Sequence, residues 1–360
     1  MNQTELVYKK TKGLSPFAYT VVGEWLYFCD EHIKALFRYH LEKEVCEYVV
    51  KFDGRYVNQN FYKMCAYGEE LWLLPFSDGK IICFNMKKEE SAYYDIPETV
   101  KEKRIPFTDM FFRKGKAYIV PRGDNRFLIE VDLETHGMRE IELVKEKQGA
   151  DFVSFLGAVQ IQNQIYLAES TENILIMFDS DNDNLKIIDI EGYELEGLSP
   201  KAIEDEIWFV PVNSGKDILI YNVNSNSFME KEYPIKGLPE NEVCLFMVYN
   251  EEIWFLANQN KKIYKVNRDM NIEAEIIISD FNENDTVIYI SGMLCANQFF
   301  WHGHSGTPLI RVKDGVVQIL DVGEDKRLLE IYLETIGKRS VYEKTSGKKT
   351  VGEYIYYSLK

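Results

Sequence analysis

The stretch "DEIWFVPVNSGKDILIYNVNSNSFMEKEYPI", residues 205–235, sets Trp208 fourteen residues ahead of Asn222 in a Tyr-Asn pair. Its apolar runs are short, rich in Ile, Phe, Tyr and Trp, and split by polar turns such as "VNSNS", the chemistry of brief strands joined by hairpins. The design recurs as "EELWLLPFSDGKIICFN" (69–85), "GKAYIVPRGDNRFLIEVD" (115–132), "NQIYLAESTENILIMFD" (163–179) and "EEIWFLANQNKKIYKVN" (251–267). Looser copies are "GEWLYFCDEHIKALFRYH" (23–40) and "NQFFWHGHSGTPLIRVK" (297–313).

Aligning the copies on their aromatic residue gives seven anchors, Tyr27, Trp72, Tyr118, Tyr166, Trp208, Trp254 and Phe300, spaced by 45, 46, 48, 42, 46 and 46 residues. The closing residues His40, Asn85, Asp132, Asp179, Asn222, Asn267 and Lys313 follow their anchors by 13 or 14 positions. Each unit reads as four short strands. One such sheet buries too little apolar surface to stand alone, so neighbouring units must stack. Seven sheets set radially make a β-propeller, which removes long exposed edges and lets the whole chain form one domain.

The sequence therefore predicts an all-β, seven-bladed β-propeller of four-stranded antiparallel blades over about 17–50, 61–96, 107–143, 153–190, 198–235, 243–278 and 287–322. Trp208 is expected between blades, and Asn222 at the turn into the outer hairpin. The 323–360 tail should add a short helix, from Leu328, Leu329, Tyr332, Leu333 and Ile336 near helical spacing, and then a strand in "VGEYIYYSL". The alternative is eight blades, the last built from "TELVYKK" and the C-terminal strands.

The units resemble degenerate kelch repeats, with an aromatic on the second strand ahead of a hydrophobic-Tyr-Asp segment. They depart from kelch in lacking a Gly-Gly pair, since "WFVP", "WLLP" and "YIVP" stand there. The blades are also similar to the "LWFTE" blades of virginiamycin B lyase-type propellers. The likeness covers about residues 17–322 and is specific at the level of the superfamily. It implies the propeller fold and, for the lyases, a His and Glu cluster at the central face. No residue here is matched to that cluster.

A formal net charge of -16 repels nucleic acid and anionic membrane surfaces, so neither is expected as a partner, and a basic or neutral one fits better. The first residues hold no apolar core of signal length, and no apolar run approaches a membrane span; a cytoplasmic chain is expected. Six cysteines without a C-x-x-C pair read as reduced core thiols.

The second-to-third-strand loops and the inter-blade loops share one face of the disc, and the long irregular segments fall there. Asp78, Lys80, Arg104, Arg122, Asp124, Arg126, His302 and His304 are its candidate polar residues, although such loop charges are commonly just solvated. On an extended segment His302 and His304 point the same way and could share a metal ion, but spacing identifies no third ligand. "DSDNDN" (179–184) alternates carboxylates as a calcium loop does, yet it has Asn184 at its sixth position and fills the ordinary third-to-fourth-strand hairpin slot. Nine residues ahead of the anchors stand Ala18, Lys63, Asp109, Gly157, Ser199, Leu245 and Ser291, a mostly small or polar column that suits a channel wall. Lys63 and Asp109 would then belong to adjacent blades and could pair, although a drift of a residue or two between copies would make part of the column an artefact of the alignment.

Nucleophile elbow, P-loop, dinucleotide and H-E-x-x-H motifs are all missing. The reading favoured by sequence is a non-catalytic module presenting its loop face and funnel to a protein, peptide or glycan, without cofactor, as a monomer or weak oligomer. The alternative is a lyase- or hydrolase-type enzyme with a metal or an acid/base pair in the funnel.

Overall fold

The computed structural model describes residues 3–7, 14, 16–30, 34–52, 61–76, 80–101, 107–144, 155–190, 192–195, 200–211, 216–239, 242–249, 251–279, 289–295, 297–303, 307–320 and 322. Within them the chain forms seven antiparallel sheets of four consecutive strands, each paired in chain order. The first strands are Pro16–Val22, Phe61–Tyr67, Phe107–Arg113, Phe155–Ile161, Lys201–Ile203, Cys244–Tyr249 and Tyr289–Cys295. They pack on one another from blade 1 through to blade 7, and the ring closes where Pro16–Val22 packs on the second strand of blade 7, Gln298–Gly303. This is a seven-bladed β-propeller. Among the described residues the only helix is the single turn Glu98–Lys101, and none is long and apolar enough to cross a membrane.

The core is divided into seven joints, each shared by two neighbouring blades. Trp72 of blade 2 packs with Ile119 and Ile129 of blade 3, and Trp208 of blade 5 with Ile253 and Phe255 of blade 6. Trp254 meets Phe299 and Trp301 of blade 7, and Phe300 meets Phe28 and Phe37 of blade 1. Every anchor thus faces the following blade, because a flat ring of this size can cover a pleated surface that its own sheet cannot. In two of the three anchor tryptophans the polar edge of the ring is satisfied from within the strand, whereas Trp254 Nε1 is buried without a hydrogen-bond partner among the described residues. Trp72 Nε1 donates to Glu70 Oε2 and Trp208 Nε1 to Glu206 Oε2, both at 3.1 Å.

The closing residues build the outer hairpins. Asn222 Oδ1 accepts from the backbone N–H groups of Asn224 at 3.1 Å and Ser225 at 2.9 Å. Asn85 does the same for Lys87 and Lys88, and Asp132 for Glu134 and Thr135. In blade 1 the ring nitrogen Nδ1 of His40 replaces the carbonyl or carboxyl oxygen. The last turn residue then takes a left-handed conformation, as at Asn226 (φ 50) and Glu89 (φ 56).

The N-terminal strand Gln3–Val7 joins the outer strand of blade 6, Ile272–Ser279, in parallel. It therefore extends an existing sheet, because the outer edge of blade 6 offers unpaired backbone groups. This corrects the eight-blade alternative. The ring closes instead by the packing of complete blades 7 and 1, where the Tyr19 hydroxyl donates to the Phe300 carbonyl at 3.2 Å. The tail expected to hold a helix and a strand, 323–360, lies outside the described residues.

Candidate functional site at the axial mouth

In blades 1, 2, 3, 4 and 7 the register between first and second strands slips by one residue at the same place. The extra residues are Phe17, Tyr62, Thr108, Leu156 and Ile290. A bulge of this kind turns the backbone and re-aims the side chains on either side of it. Directly after it come Ala18, Lys63, Asp109, Gly157 and Ser291, five members of the column nine residues ahead of the anchors. Leu245 holds the equivalent register opposite Leu256 without a bulge. The column is not a uniform channel wall, since Ala18 and Leu245 are buried in blade joints. Ser199 lies outside the described residues.

Lys63 Nζ and Asp109 Oδ2 form an ion pair of 3.1 Å between blades 2 and 3, with side chains 17% and 25% exposed. Burial works against the Lys63 charge, but the Asp109 carboxylate outweighs it and holds the amine above the ordinary lysine range. A third charged residue belongs to the same group. Lys201, on the first strand of blade 5 opposite Trp208, is brought down to about 8 by burial and by repulsion from Lys63, with Asp109 partly offsetting both. Among the described residues Lys201 has no hydrogen-bond or ion-pair partner. Cys65 and Cys295 share this surrounding, and burial pushes each thiol up to about 12, which leaves them as unreactive neutral groups.

On the loop-face side of these charges runs a band of rings. His302 lies 5.3 Å from Phe17, Phe17 lies 6.5 Å from Phe76, and Phe76 lies 6.1 Å from Tyr62. The Arg122 guanidinium sits 4.5 Å over the Tyr62 ring. The band therefore passes through blades 7, 1, 2 and 3, built from bulge residues and from the ends of second strands. Arg122 is placed by Gly123, whose φ of 59 suits glycine and whose N–H and carbonyl both bond to Phe155 of blade 4. Its Nη1 is buried without a hydrogen-bond partner.

The other sequence candidates are dispersed. His302 is buried in the joint of blades 7 and 1, its Nδ1 3.1 Å from the Tyr19 hydroxyl. Arg126 lies over Phe127, Asp124 is exposed, and Lys80 pairs with Asp95 within the outer half of blade 2. Asp78, Arg104 and His304 lie outside the described residues. No cluster of three or more metal-binding side chains occurs among the described residues. The "DSDNDN" hairpin ties blades together: Asp181 accepts from Arg113 and Lys114 of blade 3, and Asp183 from Arg139.

Sequence reading passed over Lys201, although a signal for it was present. The residues seven ahead of the anchors are Thr20, Cys65, Phe111, Val159, Lys201, Met247 and Met293, and only one carries a charge. The ring band gave no such sign, because the residue inserted by a bulge has no fixed place in a repeat count.

Fold and mouth together define a seven-bladed propeller with a charged axial group under an aromatic band. No family model and no curated protein matches the chain. Solved structures do. Virginiamycin B lyase from Staphylococcus aureus is similar at 14% identity and TM-score 0.61, over 83% of this chain and 95% of that one. YCF48 bound to D1 peptide is similar at 10% identity and TM-score 0.61, over 85% and 94%. BamB from Moraxella catarrhalis is similar at 11% identity and TM-score 0.55, over 84% and 85%. At such identities the likeness shows the fold alone.

Proposed function

We propose that this propeller is a non-catalytic binding module that takes a peptide segment of a partner protein at its axial mouth. The observation that carries the reading is the half-buried Tyr62 ring with the Arg122 guanidinium over it, backed from within by the buried rings of Phe76, Phe17 and His302 and followed along the first strands by the Lys63–Asp109 ion pair. Flat rings supply contact area at low entropic cost, and a few polar groups beneath them fix orientation, which is the usual make-up of a recognition site. Use of the same fold in YCF48, whose structure holds a D1 peptide, supports this reading.

Peptides selected from a random display library on the intact chain test it. Selected peptides are expected to slow hydrogen exchange in the first strands of blades 1 to 3. Tyr62→Ala is expected to weaken them about tenfold, the scale of one lost aromatic contact. Protection confined to the outer strands would overturn the proposal. Selective binding of oligosaccharides in place of peptides would move the mouth to a glycan.

A further inference from the structure

We infer that the mouth receives an oxyanion of the incoming peptide, a carboxylate or a phosphate group, held side-on by the Nε and Nη2 edge of the Arg122 guanidinium. This rests on peptide binding at the mouth and adds the chemistry of one contact made there. Arg122 follows Pro121 at the end of the second strand of blade 3 and lies 4.5 Å over the Tyr62 ring of blade 2. Arg38, Arg113, Arg139, Arg268 and Arg311 each pair with a carboxylate of the chain. Arg122 has neither a side-chain hydrogen bond nor an ion pair among the described residues. Acidic partners are abundant in a chain of formal net charge -16, so a half-buried guanidinium that takes none is set apart from the other five.

The geometry fixes which atoms are left for a ligand. A guanidinium keeps its N–H donors in its own plane, so stacking on a ring consumes none of them. Nη1 is closed off from water without a partner, whereas Nε and Nη2 stay open. Those two present parallel N–H groups of the kind that grip a carboxylate or a phosphate through two oxygens. An anion on that edge also offsets, through the shared charge of the guanidinium, the cost of the desolvated Nη1. The side chain is set in advance: Tyr62 holds one face, and Gly123 bonds through its N–H and its carbonyl to Phe155 of blade 4, at 3.3 and 3.0 Å. Three blades thus hold one cation in place, which lowers the entropy lost on binding. Lys63, one residue beyond Tyr62, already has a counter-charge in Asp109 and competes weakly for an incoming anion.

Calorimetric titrations of the intact chain test this with capped tetraglutamate and its tetraglutamine counterpart, with a capped tetraserine peptide carrying one phosphate or none, and with inorganic phosphate. At least one anionic peptide is expected to bind about tenfold or more tightly than its neutral counterpart. Preference for tetraglutamate alone assigns a carboxylate, and preference for the phosphopeptide alone a phosphate. Arg122→Gln should remove the advantage. Arg122→Lys, which keeps the charge but lacks the two-donor edge, should keep only part of it, and it decides the matter if the glutamine variant does not fold. Equal affinity for charged and neutral counterparts, an advantage undiminished in either variant, or no binding of any anionic probe would overturn the inference. If display-selected peptides protect the mouth yet lack acidic residues and bind Arg122→Gln like the parent, the oxyanion falls and the peptide reading stands. Arg122-dependent binding of inorganic phosphate, with no peptide protecting the first strands of blades 1 to 3, would keep the oxyanion and remove the peptide.

Discussion

Lys63 and Asp109 stand 46 residues apart in the chain, occupy the same post-bulge position in consecutive blades, and meet at 3.1 Å. One step of the repeat thus converts two loop-proximal charges into a fixed pair on the axial wall. Asp109→Asn should destabilise the fold by about 1–3 kcal/mol, because it leaves Lys63 half-buried without its counter-charge, and partial exposure should hold the loss toward the low end. Urea denaturation at pH 7 measures it. The sign is set by the raised Lys63 value: its contribution is complete below the ordinary lysine range and is lost only as pH rises through the folded-state value. The difference between parent and variant should therefore be flat from about pH 5 to pH 7 and narrow above it, as the Lys63 amine, left in the variant with burial and no counter-charge, sheds its proton; a strong slope below pH 7 would refute the assignment.

Lys201 should show the opposite behaviour. Its amine titrates near 8 in the folded chain and near the ordinary lysine value, about 10.4, when unfolded. Between these values the unfolded state binds more protons, so stability rises with pH. Lys201→Met is expected to be more stable than the parent by on the order of 1–3 kcal/mol at pH 7, with the gap closing by about pH 10.5. Denaturant unfolding of both proteins at pH 7 and pH 10 checks it, and an unchanged gap would contradict the depressed value.

Trp208 is fully buried and joins blades 5 and 6. Trp208→Ala should cost about 3–5 kcal/mol, from lost burial and from the cavity left between two sheets that cannot close on each other. Trp208→Phe should cost less than half of that. A loss under about 1 kcal/mol for the alanine variant, measured by denaturant unfolding, would show that the joint does not depend on this ring.

Asn222 tests the hairpin device in isolation. Asn222→Ala removes the oxygen that accepts from Asn224 and Ser225 and should cost about 1 kcal/mol. Asn222→Asp keeps that oxygen and should stay close to the parent in thermal unfolding, as Asp132 and its two acceptor bonds in blade 3 imply.

Much of the fold was legible because its repeat is local chemistry written seven times. Trp72, Trp208 and Trp254 mark second strands since only a large ring spans a blade joint, and Asn85, Asp132 and Asn222 mark hairpins since a short polar side chain can accept from the next two backbone N–H groups. Lys63 and Asp109 were legible for the same reason, being one column apart by a single repeat. Phe17 and Tyr62 were not, because a bulge adds a residue without altering the spacing on which the column was counted. His302 was misleading in the sequence: a paired histidine on an extended segment looks available, while in the folded chain it is held against Tyr19 and Phe17.

The sequence by itself determined the period, the ring-bearing strand of each blade, the turn into each outer hairpin and the excess of negative charge. These follow from alternation, side-chain size and turn chemistry, which act over a few residues. Only the tertiary structure decided that Gln3–Val7 lies along the edge of blade 6, that blades 7 and 1 close by packing, and that burial and the Lys63 charge depress the Lys201 amine. Contacts of that kind arise from closing a ring, which brings together side chains from blades that share no strand pairing and no fixed spacing.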